Sequence, residues 1–119
     1  MKYMLLINQG DAPTPRDPEA WATLSDDEQK AVFADYQAIN ETAGVSPGLQ
    51  LEGPEAATTV RVEDGKTLTT DGPFVTIKEA LGGWLLFEAD DLDAAIELAS
   101  RIPAARLGGA IEVRPIVER

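Results

Sequence analysis

Residues 81–103 read LGGWLLFEADDLDAAIELASRIP, and their hydrophobic period changes halfway along. The first nine residues contain the apolar run WLLF, which predicts a central β-strand over 81–89. Asp90 or Asp91 then provides an N-cap for a helix, and Pro103 ends it because proline cannot continue a helix. The apolar face predicted for this helix consists of Leu92, Ala95, Ile96, Ala99 and Ile102. A strand followed directly by an amphipathic helix indicates a sheet that is covered by helices.

The beginning of the chain repeats this order of elements. Residues 2–8, KYMLLIN, form a short apolar run that predicts a buried strand. Residues 9–24 contain Gly10 and three prolines, so we expect a long polar loop with a turn of helix near Trp21. A loop of this length in a small domain is typically functional or mobile.

A helix is predicted from about residue 26 to residue 43. Ser25 and Glu28 have the spacing of a capping box, in which each side chain bonds the other residue's backbone N–H. Gly44 is a suitable residue for the C-terminal cap. The apolar residues of this helix fall on one face and are Val32, Tyr36, Ile39 and Ala43.

Four further strands are predicted from short patterns. They cover residues 49–52, 58–63, 66–70 and 110–117. Asp64-Gly65 separates the second and third of them and is the usual signal for a two-residue hairpin turn. Pro115 lies in the last strand, which predicts an edge or bulged strand because proline cannot donate to a neighbour.

The order of these elements predicts an α+β fold of the ferredoxin-like, split βαβ type, with two helices against an antiparallel sheet. We expect a single domain over residues 1–119, since the sequence shows no linker. The runs MLLI at 4–7 and WLLF at 84–87 place apolar residues on both faces of the sheet. Because two helices cover only one face, the pattern predicts a homodimer in which two sheets pack together.

Composition excludes several classes of function. The chain has no cysteine and no histidine, which excludes disulfides, thiol nucleophiles, imidazole metal ligands and the Ser-His-Asp triad. Its 21 acidic and 10 basic residues give a net charge of −11, which argues against nucleic acid and anionic membranes as partners. No apolar run is long enough to span a membrane. We therefore expect a cytoplasmic protein.

The sequence predicts neither a metal nor a cofactor. The acidic cluster Glu88, Asp90, Asp91 and Asp93 surrounds a helix start, where carboxylates favour the helix dipole, and lacks the glycine of an EF-hand loop. Gly82-Gly83 precedes a strand rather than a helix and lacks nucleotide-binding spacing. This pair is more typical of a bulge or of a close approach between backbones.

The segment from Thr70 to Phe74, TDGPF, is the strongest candidate for a functional site. Turn chemistry alone explains Asp, Gly and Pro in this order. The functional alternative makes Asp71 a carboxylate held at the mouth of a pocket, with Lys78 and Glu79 close in sequence. Phe74 and Trp84 are predicted in the core or in a pocket wall. Further acid–base candidates are Glu52, Tyr3 and Tyr36.

Residues 57–118 resemble the YCII-related, or DGPF-domain, family. The resemblance rests on Asp71-Gly72-Pro73-Phe74, Lys78-Glu79, Gly82-Gly83-Trp84, the helix start at 91–95, the turn at 103–106 and Glu112-Val113-Arg114-Pro115. It implies a ferredoxin-like monomer that pairs as a dimeric α+β barrel. It also implies an association with extracytoplasmic-function sigma factors.

The resemblance further implies a His–Asp pair in the cleft of some members. Asp71 is similar to the Asp of that pair, whereas the His has no counterpart in a chain without histidine. A His–Asp dyad is therefore excluded here.

Two hypotheses for the function follow. The favoured one is an accessory or regulatory module that binds a small molecule or a protein, with a second copy of the chain and a sigma factor as partners. The alternative is a cofactor-free enzyme that acts on a small apolar or carboxylate-bearing molecule near Asp71. In both, Asp71 is the candidate catalytic or charged residue. The candidate ligand-binding residues are Gly72, Pro73, Phe74, Lys78, Glu79 and Trp84. A third hypothesis, a stable dimer without a functional site, stays open.

Overall fold

The computed structural model describes residues 1–72 and 81–118. The predicted Pro73, Phe74, Lys78 and Glu79 lie outside the described residues. Within these ranges, six strands and three α-helices follow one another. They are β1 (Lys2–Asn8), α1 (Pro18–Trp21), α2 (Asp26–Asn40), β2 (Val45–Gln50), β3 (Thr58–Glu63), β4 (Lys66–Asp71), β5 (Leu81–Glu88), α3 (Leu92–Ser100) and β6 (Ala110–Pro115).

Four of the strands form one antiparallel sheet in the order β2-β5-β1-β6, and β3 pairs with β4 in a separate two-stranded sheet. The order of the four-stranded sheet is that of the predicted ferredoxin-like α+β fold, which is confirmed. β6 is an edge strand, as Pro115 predicts, and β2 is the other edge. Pro47 lies inside β2 because an edge strand tolerates a residue without an N–H. For this reason β2 begins at Val45 and not at the predicted residue 49.

The core lies on one face of the four-stranded sheet. Alternate residues of β1 and β5 are buried there and pack against α2 and α3. The five large side chains that are almost completely buried are Tyr3, Leu5, Ile39, Leu98 and Ile102. This face therefore supplies most of the hydrophobic stabilisation of the protein.

The two long helices begin as predicted. The Ser25 hydroxyl accepts from the Glu28 N–H at 3.1 Å, and the Glu28 carboxylate accepts from the Ser25 N–H at 3.2 Å. The carboxylate of Asp91 caps α3 by accepting from the Ala94 N–H at 2.9 Å. α2 ends at Asn40 rather than at residue 43, and a short turn leads from there into β2.

The predicted face of α3 is partly wrong. Leu92 and Ile96 are half exposed, at 49% and 50%. The buried stripe consists of Ala95, Leu98 and Ala99, which are also spaced i, i+3, i+4. Small alanines allow α3 to lie close to the sheet, so the helix turns the stripe of Ala95, Leu98 and Ala99 inward and leaves Leu92 and Ile96 at the side.

The second face of the four-stranded sheet, here called the open face, carries four partly buried apolar residues. By register Met4 lies opposite Leu86, and Leu6 lies opposite Trp84. These side chains alternate with the core residues and do not belong to the core cluster. The open face is the surface for which the sequence predicts a second copy.

The strands β3 and β4 form a hairpin, here called the hairpin arm, over residues 58–71. Asp64 and Gly65 have φ angles of 51° and 75°, which are those of the predicted two-residue turn. Val60 and Val62 lie on the same face of the arm and are 59% and 67% exposed. Neither strand packs extensively against another helix or strand among the described elements. The hairpin arm therefore has no core of its own.

Candidate functional site

The described half of the DGPF motif lies at the base of the hairpin arm. Asp71 is the last residue of β4, is exposed, and faces Thr58 across the hairpin. Gly72 follows with a φ angle of 97°, a conformation that favours glycine. Its N–H donates to the Ala57 carbonyl at 2.7 Å, and its own carbonyl accepts from the Thr59 hydroxyl at 2.8 Å. These two bonds close the base of the arm.

A cavity of about 320 Å³ lies elsewhere, at the end of the four-stranded sheet where β1 finishes and β5 begins. Its walls come from the loop after β1, from the helix α2, from β2 and from the start of β5. The lining residues include Gln9, Ala12, Pro13, Pro15, Trp21, Phe33, Tyr36, Gly48, Leu49, Gly82, Gly83, Trp84 and Leu107. Of the two predicted ligand-binding residues that the structure describes, Gly72 and Trp84, it is Trp84 that borders the cavity. Asp71 and Gly72 are not among the described lining residues.

A bulge in β5 shapes one wall of the cavity. The pairing of β1 with β5 shifts between Ile7 and Asn8, so that Gly82 is the extra residue on β5. A Cβ atom on Gly82 would overlap Cγ of Gln9 and lie 3.2 Å from its Nε2 atom. The Gln9 side chain therefore occupies the space that Gly82 leaves free. This arrangement confirms that the glycine pair marks a bulge.

A second irregularity shapes the opposite wall. The pairing of β2 with β5 shifts between Pro47 and Gln50, opposite Trp84. A Cβ atom on Gly48 would overlap the carbonyl oxygen of Trp84 and lie 2.6 Å from its ring atom Cε3. Only glycine fits at this contact. Bulges are common beside functional sites because they redirect the chain locally, and here two of them flank one cavity.

The long loop after β1 forms a third wall and is held at several points. The Arg16 guanidinium donates to the Leu51 carbonyl at 2.8 Å and pairs with the Glu52 carboxylate at 3.3 Å. The Trp21 ring meets the Phe33 ring edge to face, with centroids 5.5 Å apart. This predicted functional or mobile loop is thus tied to β2 and to α2.

The mouth of the cavity is apolar and accessible. Phe33 and Leu49 both line the cavity, and they are 58% and 71% exposed. Large exposed apolar side chains at the mouth of a concave site suit an apolar ligand.

Polar groups in the cavity are few and uncharged. Among the described lining residues none is Asp, Glu, Lys or Arg, and the polar side chains are those of Gln9, Thr14, Tyr36, Asn40 and Gln50. Burial raises the pKa of the Tyr36 phenol above its ordinary value of 10.0, while a hydrogen bond from Gln9 and the charge of Arg106 oppose the rise. Tyr36 therefore stays protonated at neutral pH.

The other acid–base candidates do not meet in the cavity. Tyr3 lies in the core, and its hydroxyl donates to the sulfur of Met1 at 3.6 Å. Glu52 is mostly exposed and is paired with Arg16. Within residues 1–72 and 81–118 no group of three acidic side chains could hold a metal ion. No helix in the same ranges is long and apolar enough to cross a bilayer.

Sequence reasoning did not connect Gln9 or Gly48 with a site. Tyr36 stood on the predicted helix face and among the acid–base candidates, but nothing in the sequence placed it beside Gln9. The sequence signal that could have indicated this cavity is the combination of the long proline-containing loop with Gly82-Gly83, since both features mark irregular backbone.

Two comparisons with known proteins show what this chain is similar to. The profile of the YCII-related domain matches residues 1–119. An uncharacterized protein of Rhizobium meliloti (strain 1021) is 32% identical over 121 residues, which cover 98% of this chain and 92% of that protein.

Proposed function

Because the chain belongs to the YCII-related domain family, we propose that it is a dimeric accessory protein that binds a small, mostly apolar molecule. The cavity between α2, the loop after β1 and the start of β5 is the binding site. The hypothesis of a binding module is favoured over that of an enzyme at Asp71, since Asp71 is exposed at the base of the hairpin arm.

The observation that carries the proposal is the cavity itself. Its volume of about 320 Å³ lies within the range of small-molecule sites, which is about 300–1,000 Å³. Its lining is mainly apolar, with a few polar groups, as is typical of such sites. The glycines at 48 and 82 keep the backbone close to Trp84 and Gln9, so the walls are defined by main-chain geometry.

The test uses ethylbenzene as an apolar probe in a ¹H–¹⁵N NMR titration. We expect the amide signals of Gly48, Gly82 and Gly83 to shift, and those of the hairpin arm to stay in place. The variant Ala12→Phe places a ring at a cavity-lining position and should weaken the binding, whereas Ala56→Phe puts the same ring at an exposed position outside the cavity. Thermal unfolding of both variants verifies that they fold. Absence of saturable shifts in the wild-type protein would reject the cavity as a binding site.

The dimer is the second part of the proposal, and the open face supports it. Met4, Leu6, Trp84 and Leu86 form a contiguous apolar surface by register. If two copies packed these surfaces together about a twofold axis, both apolar surfaces would be removed from water.

Light scattering of wild type and two variants tests the dimer. We expect wild type to scatter as two chains of 12.8 kDa each. Leu86→Asp should scatter as one chain, because a charge cannot be buried without a partner. Leu92→Asp is the control, since Leu92 is 49% exposed on α3 and away from the sheet. A wild-type mass of 12.8 kDa at all micromolar concentrations would refute the dimer.

The accessory role includes an extracytoplasmic-function sigma factor as protein partner, and this part rests on the family resemblance. Such a partner acts in the cytoplasm, which is the predicted location of the chain. Co-purification with the sigma factor encoded nearest to its gene tests the association. Separate elution of the two proteins, with both folded, would remove this partner from the proposal.

A further inference from the structure

The loop after β1 is fixed at two points, and the residues between them border the cavity. Ala12 belongs to the core cluster, and its N–H donates to the Gln9 carbonyl at 2.8 Å. Farther along, the Asp17 carboxylate caps α1 by accepting from the Ala20 N–H at 3.2 Å. The segment between these points, residues 13–16, is here called the strap. Its first three residues line the cavity, so the strap is part of the cavity wall.

The Arg16 side chain joins the strap to the wall that faces it. Its Nη1 atom donates to the Leu51 carbonyl at 2.8 Å and lies 3.3 Å from Oε2 of Glu52. The Leu51 N–H donates to the Gly82 carbonyl at 2.8 Å, so this acceptor is itself held by β5. The residue before Arg16 and the residue before Leu51 both line the cavity. Arg16 therefore bridges two walls of the same cavity.

The walls differ in what holds them in place. The wall that contains Trp84 belongs to the four-stranded sheet, and the wall that contains Tyr36 belongs to α2, which packs on the core. Among the described residues, Arg16 makes the only hydrogen bonds or ion pairs between the strap and the segment that follows β2. The Arg16 side chain is 41% exposed and that of Glu52 is 80% exposed, so water can replace both bonds at small cost. Of these three walls, the strap is the one that opens without loss of core or sheet contacts.

We infer that Arg16 is a positioning residue of the proposed site, and that the ligand enters and leaves where the strap parts from β2. The inference rests on the proposed function, because it concerns access to the same cavity. With both Arg16 bonds formed, the strap retains a bound molecule, and with both bonds broken, it admits or releases one. Because entry and exit use the same opening, Arg16 controls both rates. The dissociation constant stays nearly unchanged as long as the closed form is the major one.

The kinetics of ethylbenzene binding test the inference, with rate constants obtained from NMR line shapes during the titration. Arg16→Met keeps an unbranched side chain and removes every donor. We expect the rate constants of association and of dissociation both to rise about threefold to tenfold, the scale of one hydrogen bond together with one exposed ion pair. The dissociation constant should change by less than about twofold. A residue that only shaped the wall would change the affinity instead.

Three further variants assign the effect to the two bonds of Arg16. Arg101→Met is the matched control, because the Arg101 side chain is 43% exposed, pairs with Glu97 at 3.1 Å and lies outside the described lining. It should leave both rates unchanged. Arg16→Lys keeps the charge without the planar fork and should restore part of the slow exchange. Glu52→Gln removes only the ion pair, so its effect should be smaller than that of Arg16→Met.

The opening of the strap can also be measured without a ligand. Relaxation dispersion of the Thr14 and Asp17 amides detects exchange between closed and open forms on the microsecond-to-millisecond timescale typical of such segments. We expect the open fraction to rise about threefold to tenfold in Arg16→Met, for the same reason as the rates. Arg101→Met should show the open fraction of wild type.

The outcomes separate this inference from the proposed function. If ethylbenzene does not bind to wild type, the proposed function is wrong, and the dispersion measurement still decides whether Arg16 holds the strap. If ethylbenzene binds and neither rate rises in Arg16→Met, the cavity remains a binding site and the inference about Arg16 is wrong. A loss of affinity with an unchanged open fraction would also overturn it, because Arg16 would then be a fixed part of the wall.

Discussion

Alternate residues of β1 and β5 are buried against helices, whereas nearly all residues of the hairpin arm are exposed on both of its faces. Both regions are antiparallel, and the pairing is regular in the arm and regular up to the bulge at Gly82 in the sheet. They differ in what fixes the pairing. In the sheet it is burial of side chains such as Leu5 and Leu85, while in the arm it is the turn at Asp64-Gly65 and the backbone ladder.

The comparison teaches where the stability of this protein lies. An isolated two-stranded hairpin is marginally stable in water, so the arm depends on its attachment to the body. The body has its own core and should keep its fold when the arm is changed. Four measurements examine this difference.

The largest contrast is expected between Leu98→Ala in the body and Val62→Ala in the arm. Leu98 is completely buried in α3, so its truncation should lower the free energy of unfolding by about 3 kcal/mol. Val62 is 67% exposed, and its truncation should change that free energy by less than about 0.5 kcal/mol under conditions where the protein is monomeric. Urea unfolding followed by circular dichroism measures both. Similar losses of stability in the two variants would mean that the arm and the core unfold as one cooperative unit.

A smaller effect is expected at the junction of the two regions, in Gly72→Ala. The φ angle of 97° strains any residue with a Cβ atom, although no atom of the described residues lies within 4 Å of the new group. We expect a loss of roughly 1 kcal/mol from backbone strain alone. Thermal unfolding measures the loss, and Gly65→Ala at the tip of the arm is the comparison. An unchanged midpoint in Gly72→Ala would show that the base of the arm adjusts freely.

High pH should affect the body through Tyr36. Burial raises the pKa of Tyr36 in the folded protein above the ordinary 10.0, so the folded state holds this proton more tightly than the unfolded state does. Its contribution is complete below about pH 10 and is lost as pH rises through the folded pKa. Wild type should therefore lose more stability above about pH 10 than Tyr36→Phe does. Parallel pH profiles of the two proteins would contradict this expectation.

The smallest effect on stability is expected for Asp71→Asn in the arm. Asp71 is exposed, and asparagine supports the same turns, so the free energy of unfolding should change by less than about 1 kcal/mol. We predict that the variant folds and dimerises normally, and that it keeps the binding in the cavity, because Asp71 is not among the described lining residues. Thermal unfolding and light scattering check the first part. Aggregation of the variant would mean that Asp71 is needed for folding instead.

Local signals predicted most of the fold. The capping box at Ser25 and Glu28, the cap at Asp91 and the turn at Asp64-Gly65 all depend on residues close in sequence, and all are present. The start of β2 was missed because Pro47 suggests a breaker unless its strand is known to be an edge. The predicted buried face of α3 is partly wrong because apolar residues occupy two adjacent faces of this helix.

The cavity could be predicted only in part. The local sequence predicts Trp84 in the core or in a pocket wall and a bulge at Gly82-Gly83. The proximity of Gln9 to Tyr36, in contrast, depends on the register between β1 and β5. Register of distant strands is a non-local property that residue spacing does not encode. The motif residues from Pro73 to Glu79 lie outside the described residues, so their assignment as ligand-binding residues stays a prediction.

The position of the two tryptophans has a practical consequence for optical work. The chain has no others, and both Trp21 and Trp84 line the cavity. Intrinsic fluorescence should therefore report on the cavity without any added label, whereas the hairpin arm is optically silent. Trp84 also lies on the open face by register with Leu6. Under the proposed function, emission from a Trp84→Phe protein should follow occupancy through Trp21 alone, and emission from a Trp21→Phe protein should respond to self-association as well.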